Sequence, residues 1–530
     1  MDETVPVLIV GGGYAGLASA LFLAHHGVRS VLVDRHPTVS VQGRARGINQ
    51  RTMELYRPLG IEPGIRAAGR PFDGESGVVR CESLAGEWQW LLGDEARTSL
   101  PDLTACEFEM ADQRTVEPLL IEAARARGAD IRFGTRCLSV EADADGVTAV
   151  TRAGDGEQRV LRAEYVIAAD GFRGAIGPSQ GIVREGPGAT QSWVTFVVRA
   201  DLSEIITKRA MFWIVSNPEI GGFASFLSTA VEDQWAVSFT YDPEKESPAD
   251  FTAERCAPAA RAVLGADVPF EILDIACWEE AVGIADRFRA GRVFLAGDSA
   301  HVWPPAGAMG ANAAVQDAHN LAWKLAATIK GWASDALLDS YEAERRPVAQ
   351  ALAGITVRRQ EARFGNGPVE DDVDDTLCTF GQRYHSSAVI GAEHDGVYGD
   401  SVHQGALPGT RAPHLWLDLD ESGVALHDLF HDAFVLLTGP DGEAWTDAAN
   451  EIAAQAGFPL RAYRVGPSSS RADLADLEGA WDTRYGLGGD GAVLVRPDGY
   501  IAWRRPAGTQ GDPKAQLTEA LHRILRTQHL

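Results

Sequence analysis

An apolar run that breaks into a glycine turn and then a helix, at residues 7–16, leaves few folds open to this chain. Val7-Leu8-Ile9-Val10 reads as a strand buried on both faces of a parallel sheet. Gly11-Gly12-Gly13-Tyr14-Ala15-Gly16 follows at once. Leu17, Ala20, Leu21 and Ala24 then recur at helical spacing, Gly27 stops the helix, and Val31-Leu32-Val33 forms a second strand ending at Asp34. Gly11 permits the tight turn, Gly13 lets backbone approach a pyrophosphate, and Gly16 allows helix and strand to pack closely. The open N–H groups at the helix start favour phosphate charge, and Asp34 can bond ribose hydroxyls. Gly11, Gly13, Ala15, Gly16, Asp34 and Arg35 are therefore candidate dinucleotide contacts. Asp34 beside Arg35 does not separate a flavin from a nicotinamide dinucleotide. A glycine turn alone could be purely structural; strand, helix and acid together favour the binding reading.

Strands of the same buried type return only at Tyr165–Ala169 and Val293–Ala296, so insertions interrupt the sheet. One insertion, Trp193–Tyr241, is different. Its β-branched and aromatic runs, Trp193–Val198, Phe212–Val215, Phe223–Ser228 and Trp235–Tyr241, are separated by turn residues and predict antiparallel strands. Such a sheet suits the roof of a substrate pocket. Gly365–Pro368 and the acidic Glu370–Asp375 read as a linker, and a third unit follows over roughly 405–530, ending in a helix from Gln516 to about Arg526.

A second motif specifies the cofactor. Arg292–Ala296 is a strand ending in Gly297-Asp298, followed by Ser299-Ala300-His301, the loop Pro304–Gly310, and a helix. Asp298 at a strand end can reach ribityl or ribose hydroxyls. The loop lets a planar ring lie against backbone at Pro305 and Gly307. The helix start at Gly310, Ala311 and Asn312 can stabilise negative charge on a reduced flavin.

With Ala169-Asp170-Gly171-Phe172-Arg173 lying between them, these segments resemble the FAD-dependent aromatic hydroxylases built on the para-hydroxybenzoate hydroxylase plan, the class A flavoprotein monooxygenases. Arg44–Glu54, Asp112-Gln113-Arg114, Gly409–His414 and Leu494–Gly499 are similar to the bacterial aromatic polyketide hydroxylases, the branch typified by aklavinone 11-hydroxylase. One departure is visible: the family's paired glycines appear here as Gly307-Ala308. The resemblance implies an α/β fold, with a Rossmann-like FAD-binding domain (1–72, 101–177 and 278–400). An antiparallel β-sheet substrate domain is inserted at 73–100 and 178–277, and a thioredoxin-like domain ends the chain (401–530). That last unit has no cysteine after Cys378, so it cannot perform thiol chemistry. The resemblance adds Arg44, Arg46, Gln113, Leu138, Asp170 and Gly171 to the cofactor contacts. It implies NADPH as a transient co-substrate, since no second glycine fingerprint exists, and O2 as oxidant. Oxygen would add to reduced FAD to give a 4a-hydroperoxyflavin that attacks an electron-rich ring in a dry pocket.

The expected substrate is a polycyclic aromatic polyketide in antibiotic or other secondary metabolism. A small phenolic acid, a Baeyer–Villiger or ring-rearranging reaction, or a flavin-bearing scaffold remain alternatives. Phe212, Phe223, Phe226, Trp235, Trp213 and Trp303 are candidate substrate contacts, each weighed against ordinary core packing. No acid–base group declares itself. His301 reads as packing or a supporting hydrogen bond, and Arg358, Arg359 and Arg363 as a solvated helix face or phenolate stabilisers.

Composition narrows the partners. Forty-eight Lys and Arg against 74 Asp and Glu give −26, which opposes nucleic acid and anionic membranes. The six scattered cysteines (Cys81, Cys106, Cys137, Cys256, Cys277 and Cys378) fit a reducing, cytoplasmic setting, with no metal expected. No apolar window reaches the length of a membrane span. Oligomeric state stays open.

Overall fold

Ile9, Leu32, Ile167 and Phe294 are wholly buried side chains that share one register across a parallel sheet. The computed structural model describes residues 3–40, 45–92, 99–364, 372–393, 395–399, 405–419 and 422–528, with the side chains of 92, 363 and 364 excepted. The strands run in the order Arg289–Ala290, Val293–Leu295, Gln158–Ala168, Glu3–Val10, Ser30–Val33, Asp130–Arg132. Thr135–Ala142 and Val147–Ala153 add an antiparallel flap onto Gln158–Ala168. The distant strands expected in one sheet are thus neighbours. Helix α1 (Tyr14–His25) has no side-chain cap at its start and is buried along most of its length. Helix α2 (Gln113–Ala126) packs beside it.

The inserted sheet has the strand order His301–Val302, Glu271–Ala285, Arg184–Arg199, Gln234–Tyr241, Gly222–Ser228, Ala210–Asn217, Ser76–Cys81, Trp88–Leu92. All pairings are antiparallel except Ala210–Asn217 with Ser76–Cys81. The long strand Glu271–Ala285 crosses residue 278, the sequence boundary of the insertion, because it stays paired to Arg184–Arg199 through bulges and then to His301–Val302.

Side chains alternate cleanly across this roof. Val194, Phe196, Trp213, Val215, Ala224, Phe226, Trp235, Val237 and Phe239 form its outer face, packed on helix α3 (Ala253–Leu264) through Cys256, Ala260 and Val263. Thr252 caps α3 by accepting from the Arg255 N–H, and Gly265 ends it at φ +67°. On the inner face Thr195, Val197, Phe212, Phe223, Ser225 and Leu227 are only half-buried.

Helix α4 (Met309–Ile329) then returns to the first sheet, and α5 (Asp339–Phe364) packs across it. The last unit is a seven-stranded sheet. Phe434–Thr438, helix Glu443–Ala456 and parallel Leu460–Gly466 are followed by the antiparallel hairpin Ala492–Val495/Ile501–Arg505 and helix Pro513–Leu525. This β-α-β, β-β-α order is thioredoxin-like. The unit sits on α4 through Trp323 and Ala327, which join Phe434, Leu494 and Leu521 in one core. A buried charge cluster crosses the same seam: Glu344 accepts from Lys324 (2.7 Å), Arg496 (2.9 Å), Asn320 and Ser386, while Arg496 also pairs with Asp498. No helix among the described residues is long and apolar enough to cross a membrane.

Candidate active site

At the first glycine turn the three fingerprint positions divide by what a methyl group would meet. A Cβ on Gly11, at φ +115°, would lie 2.0 Å from the Ala169 carbonyl oxygen, and one on Gly16 would lie 1.8 Å from that of Gly11. Those two glycines serve the protein's own packing. A Cβ on Gly13 would meet nothing within 4 Å. The space over Gly13, at an uncapped helix start, is the cradle a pyrophosphate needs. Asp34 stands beside it and accepts from the N–H groups of Gly12 and His36, both at 2.7 Å. Arg35 is exposed. Leu138 forms a bulge between Cys137 and Ser139 and is 39% exposed, an apolar platform on the strand that starts against the Asp34 carbonyl. Ala15 packs against Gly297, where a Cβ would be 2.9 Å from the alanine methyl.

The flavin end is organised by three turns tied together. Ser299 donates to Asp170 (2.9 Å) and accepts from the Gly171 N–H, joining the Asp-Gly turn to the Gly-Asp-Ser turn. Asp170 also caps the Ile176 N–H, so its carboxylate is shared among protein groups. Asp298 is exposed at the strand end. Asp317 on α4 accepts from Gly297 N–H, His301 Nε2 (2.6 Å) and Arg345 Nε (2.7 Å). Burial alone would raise its carboxyl, but His301 and Arg345 bring it below the ordinary value. His301 is thereby a buried strut, stacked on Trp303 at 4.6 Å.

Loop Trp303–Ala308 carries Pro305 and Gly307 exposed, with Gly307 at φ +91°. Ala308, the N-cap of α4, adopts φ +54° although it is not glycine. No side chain caps this helix start either, so the N–H groups of Gly310 and Ala311 remain available to a ligand. Asn312 does not face outward. Its side chain donates to Gly47 and Ala308 carbonyls and accepts from Asn49 N–H, stapling the 47–49 segment to α4. The indole N–H of Trp303 is buried beside Gly310 with no partner among the described residues.

The remaining sequence candidates fall in several places. Arg44 and the Arg363 side chain lie outside the described residues. Arg46 donates to the Ser228 and Met211 carbonyls at 2.9 and 2.7 Å, so it anchors the edge of the roof rather than reaching for a flavin phosphate. A buried guanidinium needs oxygen partners, and two roof strands supply them. Gln113 donates to Glu117 at 2.6 Å, close to the Tyr14 hydroxyl, which is buried without a partner among the described residues. Burial raises the Tyr14 hydroxyl well above its ordinary value, with Tyr56, Glu117 and Asp112 adding to it. Arg358 is exposed, as a solvated helix face requires, whereas Arg359 pairs with Asp372 and Asp375 and reaches the Gly307 loop.

Of the aromatic candidates, Phe212 and Phe223 lie on the inner face of the roof. Phe226, Trp213 and Trp235 face the other way, into the core against α3, and are corrected from substrate contacts to packing residues. Several inner-face groups have no motif in the sequence. Trp193 stacks on Trp278 at 5.4 Å. Glu280 is buried and held by Gln360 of α5 (3.0 Å) and Thr190; burial raises its carboxyl against the pull of Thr190. Residue type alone offers no signal for these positions; strand alternation, once the outer face is known, does. Arg46 at one end and Glu280 at the other hold the roof to the first unit, with the half-buried face between them. A surface hollow of about 420 Å³ near Glu82, Asn217 and Arg261 lies on the α3 side and holds none of the candidates. Among the described residues no group of His, Cys, Asp or Glu could hold a metal ion.

Two uncapped helix starts, the glycine cradle over Gly13 and a loop-borne flavin motif fit an FAD laid from Asp34 to the start of α4. Residues 4–356 match the FAD binding domain family, and 405–527 match the aromatic-ring hydroxylase C-terminal family. The chain belongs to the FAD-dependent aromatic-ring hydroxylases. It is 40% identical over 543 residues, 98% of both chains, to tetracenomycin B2 monooxygenase-dioxygenase of Streptomyces olivaceus. It is 38% identical to 4-methyl-5-nitrocatechol 5-monooxygenase of a Burkholderia species, covering 99% of this chain and 98% of that one. Among solved structures, the ternary complex of aklavinone-11 hydroxylase with FAD and aklavinone superposes with a TM-score of 0.90 at 38% identity, over 99% of this chain and 100% of that one.

Proposed function

We propose that this enzyme hydroxylates a polycyclic aromatic polyketide, consuming NADPH and O2, in the biosynthesis of an antibiotic-type metabolite. The observation that carries the reading is the half-buried inner face of the roof. From Trp278 to Phe212 it crosses five strands, about 19 Å at the usual strand spacing. Several fused rings use such a face more fully than a single phenol does. The likeness to tetracenomycin B2 monooxygenase-dioxygenase and to a putative polyketide hydroxylase of Streptomyces halstedii supports the same substrate class.

Gly13, Asp34, Leu138 and the start of α1 are assigned to the adenosine diphosphate half of FAD, and Asp298, Pro305, Gly307, Gly310 and Ala311 to the flavin half. Bound FAD, reduced by NADPH, supplies the activation of O2. The protein's own contribution is placement. The first turn of α4 aims N–H groups at developing negative charge. Phe212, Phe223 and the Trp193–Trp278 pair hold a flat ring system and keep water away. Asn312 and Asp317 keep the flavin loop in register with the 47–49 segment and the Gly-Asp turn. NADPH is assigned a transient groove rather than a domain of its own. The interwoven division into FAD (1–72, 101–177, 278–400), substrate (73–100, 178–277) and thioredoxin-like (401–530) domains is retained as a working partition.

Turnover of NADPH and O2 against anthraquinones, tetracenes and small phenols, with products identified by mass, tests the reading. Addition of one oxygen atom to a polycycle is the expected result. Coupled turnover of small phenols alone would overturn it in favour of the second reading, a catabolic phenol hydroxylase, which the nitrocatechol-oxidising relative supports.

A further inference from the structure

A file of polar side chains crosses the middle of the inner face, between Phe212 and Phe223 on one side and Glu280 on the other. Trp278 Nε1 donates to Thr195 Oγ1 at 2.9 Å, and Thr195 Oγ1 and Ser238 Oγ are 2.7 Å apart. Ser225 stands opposite Ser238 in the register, on the next strand, and is half-buried. Four strands thus contribute one polar group each, on the face that looks toward the first unit.

The direction of this file follows from donor inventory. Indole nitrogen only donates, so Thr195 accepts from Trp278. The Thr195–Ser238 contact then uses one of the two hydroxyl hydrogens, whichever group supplies it. One O–H is therefore left over, and Ser225 merely passes the surplus one strand further if it accepts. Each bond in such a chain polarises the next, so the terminal O–H is a better donor than an isolated serine. A polar group on a face built to exclude water gains most from an acceptor on the ligand.

We propose that the Trp278–Thr195–Ser238 file is the specificity element of the roof, donating its surplus O–H to a carbonyl or phenolate oxygen of a planar polycyclic substrate. The contact fixes which edge of the ring system lies against the roof and so which edge is presented to the flavin. The inference rests on the functional reading above and adds a requirement to it: the preferred substrate carries an acceptor oxygen on the edge remote from the site of hydroxylation.

The test uses the FAD-loaded full chain and two probes of one outline, 9,10-anthraquinone with its carbonyl acceptors and anthracene with none, titrated by tryptophan fluorescence. Thr195→Val keeps shape and removes the hydroxyl; Ser238→Ala and Trp278→Phe shorten the file at either end. The double variant Thr195→Val, Ser238→Ala, which leaves neither hydroxyl, is expected to bind the quinone about 3- to 10-fold more weakly, the worth of one neutral hydrogen bond, with the single variants losing less, and anthracene within about 2-fold of wild type throughout. Bound FAD and the melting midpoint report that the fold is intact. Equal losses for both probes, or no loss for the quinone, overturn the file as a recognition element while leaving the polycyclic reading in place. Failure of the FAD-loaded wild type to bind either probe overturns that reading and the file with it.

Discussion

Glu344→Gln is a test of how the thioredoxin-like unit is held. In the wild type two cations, Lys324 and Arg496, meet two carboxylates, Glu344 and Asp498, all of them buried. Burial alone would raise the Glu344 carboxyl, but Arg496 and Lys324 hold it well below the usual range. Burial also draws the Lys324 ammonium down to about 8, against the opposing pull of Glu344. The amide keeps the shape, removes one negative charge and turns an acceptor into a donor facing donors. Breaking a buried pair in this way costs roughly 3–5 kcal/mol. With an unfolding entropy of about 1.1 kcal/mol/K for a chain of this size, the melting midpoint falls by roughly 3–5 °C at pH 7 if the chain melts as one unit.

The pH dependence has a definite sign. A lysine whose folded value lies below its unfolded value binds more protons when unfolded, so stability rises with pH between the two values. Without Glu344 the folded value drops further and the window opens toward lower pH. The deficit of the variant therefore narrows between pH 7 and 9 by calorimetry. Adding Lys324→Met to Glu344→Gln removes the uncompensated cation and recovers part of the loss. A variant within 1 °C of wild type (roughly 1 kcal/mol on the same scale), or a deficit independent of pH, would falsify the charge-balance argument.

Further outcomes follow from the site. Gly13→Ala folds and melts like wild type without cofactor but binds FAD at least about 10-fold more weakly, because its methyl enters only the cradle; Gly11→Ala, which drives a Cβ into backbone, loses the fold itself, and equal behaviour of the two in a cofactor-free melt would contradict the assignment. Ala308→Gly relieves a left-handed alanine and raises stability by about 1 kcal/mol, read from denaturant midpoints; a less stable glycine variant would show the methyl to be packed rather than strained. Phe226→Ala costs about 3–5 kcal/mol with substrate KM little changed, whereas Phe212→Ala spares stability and raises KM, and the reverse pattern would invert the two faces of the roof.

The glycine fingerprint, the late return of the parallel strands and the four roof strands were legible because each is a local pattern of period or turn chemistry. The facing of the roof was not. Phe212-Trp213-Ile214 puts three large apolar residues in a row, so alternation is hidden until α3 is seen to cover Trp213. Arg46 illustrates a second limit: its carbonyl partners lie 165 and 182 residues away, and nothing near residue 46 announces them. Arg411 and Arg496-Pro497-Asp498 stood out as matching segments of the last unit, yet their work is at the seam, where Arg411 pairs with Glu54 and Arg496 with Glu344. The polar file was invisible for a simpler reason, since isolated Thr and Ser in strands are common and only their register brings them together.

The strand Glu271–Ala285 has a mechanical implication. It runs along one side of the roof, paired to Arg184–Arg199, and its far end pairs with His301–Val302, from which the flavin loop springs. Roof and loop are thus joined by direct strand pairing at Gly283 and Ile284 with Val302 and His301. A ring system held against Trp278, as proposed, would load a strand whose other end is tied, through His301 and Asp317, to the helix assigned to the flavin. On the proposed placement of substrate and cofactor, the fit of a ring system at the roof and the position of the flavin loop would share one backbone connection.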